Sequence, residues 1–123
     1  MDQAEGDLLH AQSDAEHGFY EWSRFSAQKA AEKAVKTVFQ RLGVEAWGYS
    51  VADLLRELSR HRSVPDELMQ AALELDKVYI LARYPNADPS GLPRRRYTKE
   101  EALRLIGHAE RILWFCQDLL AQA

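Results

Sequence analysis

At 123 residues the chain has the size of one domain and buries enough surface to fold without a disulfide or a structural metal. Its net charge of −3 and pI near 5.8 argue against broad, sequence-independent nucleic-acid binding, which needs a basic face, but leave room for a local basic patch. The lone cysteine, Cys116, excludes an internal disulfide, and no apolar run approaches the roughly 20 residues that span a bilayer. The acidic start, Met1 to His10, lacks a signal-peptide pattern, so the chain reads as a cytoplasmic protein with no membrane partner.

The spacing of apolar residues predicts five helices in one domain over residues 1–123. The first runs from about Asp2 to Glu16, with Ala4, Leu8, Ala11 and Ala15 on one stripe and an acidic outer face. The second runs from about Phe19 to Leu42. Ala27, Ala31, Ala34, Val35, Val38 and Leu42 form its apolar stripe, and Gly43 is its stop signal. A short third helix starts at Tyr49 or Ser50, carries Val51, Leu54, Leu55 and Leu58, and ends near Arg60 or His61. Ser63 and Pro65 restart the chain as cap and first turn. The fourth helix, from about Pro65 to Arg83, has Leu68, Ala72, Leu75, Val78, Tyr79 and Ala82 as its buried stripe, and Pro85 stops it. Residues Tyr84 to Tyr97 hold Pro85, Pro89, Gly91 and Pro93 and read as one long loop. Thr98, with Glu101 three residues on, matches a capping box for the last helix. There Ala102, Leu105, Ala109, Ile112, Cys116 and Leu119 form a heptad-like seam. The fold class is all-α, a five-helix up-and-down bundle of four long helices and one short one, with antiparallel neighbours set by the short connections.

The polar residues admit two readings each. Arg83, at the end of the fourth helix, either complements the helix dipole or holds a phosphate in a groove. Tyr79 and Tyr84 beside it either pack or stack on a base. Lys29 and Lys33 read as solvated surface, whereas Glu32 and Lys36 share one side of the second helix and suit a polar cleft. Arg94, Arg95 and Arg96 form the most basic stretch, suited either to phosphate contacts or to a solvated loop facing an acidic partner. His10 and His17 are too far apart along a helix to share a metal, and His61 and His108 stand alone, so no metal or cofactor site is expected. Cys116 falls on the buried seam and reads as a core residue. Trp22, Trp47 and Trp114 read as core or dimer residues, with Trp47 the one best placed to meet a partner.

Three blocks in order carry a resemblance over about Ala4 to Leu120. They are Ala27 to Lys36 (AQKAAEKAVK), then Asp76, Tyr79, Arg83, Tyr84 and Pro85, then Tyr97 to Ala102 (YTKEEA). With these the chain resembles the prokaryotic HEPN family. The resemblance implies a five-helix bundle, a homodimer, and a minimal nucleotidyltransferase partner in a two-component, in some cases toxin–antitoxin, system. It also implies a nucleotide-binding role, with Arg83, Tyr84, Tyr79, Arg94, Arg95, Arg96, Glu32 and Lys36 as candidate nucleotide- or phosphate-binding residues.

Some members resembled are metal-independent endoribonuclease toxins, in which an arginine is followed after four to six residues by a histidine. Here Arg83 is followed by Tyr84, Pro85, Asn86, Ala87, Asp88, Pro89 and Ser90, with no histidine, and Tyr49 stands where many members carry one. Moving the 2′-hydroxyl proton of RNA needs a group that titrates near neutrality, and a carboxylate such as Asp88 is repelled by the phosphates. The expectation is therefore a non-catalytic binding module. The alternative is a ribonuclease toxin with a variant site in which Arg83 is the surviving catalytic residue. The third reading is an interaction protein with no anion site at all.

Overall fold

The computed structural model of the protein describes residues 1–48, 50–83 and 98–122, the side chains of 78–83 excepted. Five helices follow in order: α1 (Asp2–Glu16), α2 (Tyr20–Leu42), α3 (Val51–Leu58), α4 (Asp66–Arg83) and α5 (Lys99–Gln122). No strand occurs among the described residues. Residues 84–97, expected as the long loop, lie outside them, as does Tyr49.

α2 is the axis of the bundle and touches all four other helices. Its middle is built for close approach, since Ala27, Ala30, Ala31 and Ala34 are all fully buried, as are Ala4, Ala11 and Ala15 on α1. Side chains this small let neighbouring backbones come near enough for a buried Ser23 hydroxyl to donate to the Ala11 carbonyl at 2.7 Å. The pairs Met1–Thr37 (3.5 Å), Asp7–Lys33 (2.7 Å) and His10–Ser26 (3.3 Å) run in opposite senses along the two helices, so α1 and α2 are antiparallel. α5 runs beside α2 in the same sense as α2: Gln117 reaches Glu5, and Arg41 donates to the Leu120 carbonyl at 3.3 Å.

The ends of the helices follow local chemistry. Gly43 closes α2 in the left-handed region, φ 72°, where an L side chain is strained; its N–H bonds the Gln40 carbonyl and that of Val44 the Phe39 carbonyl. Ser50 caps α3 by accepting the Asp53 N–H at 3.2 Å. α4 starts at Asp66, one residue later than expected, because the Pro65 carbonyl already takes the N–H groups of Leu68 and Met69. Thr98 accepts the Glu101 N–H at 3.1 Å, as the capping box requires.

The expected α5 seam is buried at Ala102, Leu105, Ala109, Ile112 and Cys116. Ile106 and Leu113 are buried too, because α5 packs against three helices and needs a wider apolar face than a two-helix seam. Trp22, Trp47 and Trp114 are exposed (65%, 81% and 57%), so the core half of their expected role is corrected.

Candidate functional site

Beside its alanine stripe α2 carries a second, polar one. Arg24, Gln28 and Glu32 are spaced four apart, one above the other on a helix, and all three are buried. Directly across from Gln28, α4 contributes a fourth buried polar side chain, Asp76. Four polar side chains buried along one seam are a large departure from ordinary core composition, and buried polar groups need partners.

Asp76 takes its partners from α3. One carboxylate oxygen accepts the Val51 N–H at 2.8 Å and a longer bond from the Gln28 amide at 3.4 Å. The other accepts the Ala52 N–H at 2.9 Å and the Ser50 hydroxyl at 2.8 Å. Ser50 thus donates to Asp76 while accepting from Asp53, and the carboxylate sits on the positive end of the α3 dipole. This arrangement ties three helices together and leaves Asp76 an anchor. The sequence carried a signal for its burial alone: Leu68, Ala72 and Asp76 are four apart, which puts a carboxylate on the buried stripe of α4.

Glu32 and Lys36, expected to share a polar cleft, are brought together: Lys36 Nζ lies 3.2 Å from one carboxylate oxygen of Glu32. Lys29 Nζ lies 3.2 Å from the other. Reading Lys29 as plain solvated surface is therefore corrected; a buried carboxylate draws it in, and its ammonium also stands 5.5 Å from the Phe25 ring centre. Lys33 does remain at the surface, paired with Asp7. The seam thus runs from Arg24 to Glu32 and opens at the two lysines.

α4 continues from Asp76 by roughly two turns to Arg83, which the backbone places at its C-terminal end. The side chains of Tyr79 and Arg83, and the whole of Tyr84, Arg94, Arg95 and Arg96, lie outside the described residues. His108, expected to stand alone, faces α4 instead. Its Nε2 lies 3.2 Å from Glu74, which Arg104 also meets at 3.2 Å, and Arg111 contacts its Nδ1. Cys116 is fully buried, and the cost of placing a thiolate in that apolar seam pushes its pKa up to about 12, which removes it as a nucleophile. Among the described residues no group of three or more His, Cys, Asp or Glu is placed to hold a metal, and no helix is long and apolar enough to cross a membrane.

The fold has counterparts of known structure. A HEPN domain protein from Thermotoga maritima of known crystal structure is 57% identical, with a TM-score of 0.84 over 100% of this chain and 98% of that one. A Thermus thermophilus protein is 43% identical, with a TM-score of 0.88 over 96% and 93% of the two chains. An archaeal HEPN homologue is 38% identical, with a TM-score of 0.79 over 95% and 91%. The Methanocaldococcus jannaschii protein named "Putative toxin MJ1304" is 27% identical over 98% of this chain and 85% of its own length. The family model described as "HEPN domain" matches residues 1–119. A five-helix bundle organised around α2 is thus matched along nearly its whole length, and the chain belongs to the HEPN domain family.

Proposed function

We propose that this chain is a non-catalytic nucleotide- or phosphate-binding HEPN module, acting as a homodimer with a separate minimal nucleotidyltransferase in a two-component system of the toxin–antitoxin kind. The observation that carries the reading is the polar seam. Burying Arg24, Gln28, Glu32 and Asp76 is costly for a small domain, and through Asp76 with Gln28 and the start of α3 the seam joins α4 to α2 and α3. α4, anchored at Asp76, ends on Arg83, and a guanidinium is the group suited to recognise an anion there. Glu32, Lys36, Tyr79, Tyr84, Arg94, Arg95 and Arg96 are the remaining contacts proposed for the site. The M. jannaschii relative, whose name describes a toxin, supports the two-component part. Calorimetric titration with ATP and GTP tests the binding part: heat with the wild type and its loss in Arg83→Ala are expected, and no heat with either nucleotide overturns it.

The alternative is a metal-independent endoribonuclease toxin with a variant site, favoured by the same relative's name and by Arg83 at the end of α4. Against it stands the missing histidine between Tyr84 and Ser90, which leaves that window after Arg83 without a neutral-range proton carrier. Incubation with single-stranded and transfer RNA in EDTA separates the two. Intact RNA is expected; cleavage that disappears in Arg83→Ala establishes the alternative.

A further inference from the structure

Beyond the end of the seam, α2 gives way to a short extended connection. Gly43 (φ 72°) and Gly48 (φ 103°) bracket it in the left-handed region that glycine alone adopts freely. Between them the chain alternates. Val44 and Ala46 pack against the core, while Glu45 and Trp47 point outward. The two inward residues hold the connection in place, so Trp47 is presented by a pinned segment. Its indole is 81% exposed, the largest exposure of any bulky apolar side chain described.

Trp47 stands on the wall of an open cleft of about 370 Å³ that Lys36, Phe39, Gln40 and Glu45 also line. That is the volume range of small-ligand sites. Its lining combines a broad aromatic face, a cationic side chain, an amide and a carboxylate within one small space. Lys36 belongs at once to this cleft and to the Glu32 ion pair at the end of the seam, so cleft and seam are continuous.

We propose that this cleft is a nucleobase subsite for a nucleoside phosphate: the base stacks on Trp47, Glu45 and Gln40 meet its polar edge, and Lys36 faces the phosphate side. Each contact follows from group chemistry. An indole face stacks on any base, an amide and a carboxylate accept from exocyclic amines, and an ammonium favours the phosphate. The inference deepens the phosphate-binding reading and rests on it for the anion.

Adenosine monophosphate and adenosine are the probes, followed by tryptophan emission of the full chain and by calorimetry. Saturable quenching by the monophosphate is expected. Trp47→Leu abolishes it and weakens binding about tenfold, the size of one lost stacking contact. Trp47 is mostly solvent-exposed, so this variant keeps the fold, which circular dichroism checks. Adenosine binds more weakly than the monophosphate, and Lys36→Gln narrows that difference. Undiminished monophosphate binding by Trp47→Leu overturns the proposal. So does a Trp47→Leu variant that sediments as a monomer where the wild type is a dimer yet binds the monophosphate normally, since the cleft then belongs to a second copy of the chain. Arg83→Ala in the same titration separates the two claims. If binding falls with Arg83→Ala but not Trp47→Leu, the anion site stands and this cleft is excluded. If neither the wild type nor any variant binds, both readings fail.

Discussion

Asp76 shows how one side chain can settle the geometry of three helices. Its oxygens take two backbone N–H groups, a hydroxyl and an amide, all directed at one buried carboxylate. Asp76→Ala strands these donors and removes the tertiary cap of α3, so it is expected to lower stability by about 3 kcal/mol, read by denaturant unfolding. Glu32→Gln should cost far less, about 1 kcal/mol or under, because Lys29 and Lys36 keep 26% and 34% of their side-chain exposure and can return to solvent. A larger loss at Glu32 than at Asp76 would contradict this ranking. Cys116 gives a pH prediction. Its folded pKa is raised by burial from 9.0 to about 12, so the native thiol stays protonated while the unfolded one ionises first. The stability this provides is complete below 9.0 and is lost as pH rises towards about 12. Comparing Cys116→Ala with the wild type by urea unfolding across that range isolates the slope, and native Cys116 should resist alkylation until the chain unfolds.

At the scale of elements, helix ends were legible wherever the signal is local. Gly43, Ser50 and Thr98 each mark an end because the residue itself supplies the positive φ or the capping oxygen. The α4 start is an exception: the helix begins at Asp66 with the Pro65 carbonyl accepting from Leu68 and Met69, so Ser63, expected as the cap, lies too early in the chain to serve as one. Less legible was which face of a helix meets more than one neighbour. Ile106 and Leu113 lie beside the expected α5 seam, and only the three-helix surroundings of α5 explain their burial. The role of Asp76 was hidden for a related reason. The amides it binds belong to α3, and nothing local in the sequence brings residue 76 to residues 51 and 52. The alanine stripe of α2 yields its own test. Ala34 is fully buried in a close-packed contact, so Ala34→Leu forces the helices apart and should destabilise by about 1–3 kcal/mol, a shift in thermal midpoint readable by circular dichroism.

For the whole molecule, an all-α bundle followed from periodicity alone, and its membership of the HEPN family from three sequence blocks in order. Function was less legible because it depends on where charges converge. Lys29 reads as surface in sequence and proves to be drawn onto a buried carboxylate; Trp47 reads as a core or partner residue and proves to line an open cleft. The proposed binding function rests on Arg83, at the end of α4, meeting a phosphate group. Calorimetric titration of the wild type and of Arg83→Ala with one nucleoside triphosphate, on samples matched for thermal midpoint, tests this most directly. Binding by the wild type that weakens at least about tenfold in the variant is expected, as loss of a charge-assisted pair implies. Equal affinities in two equally folded proteins would contradict it.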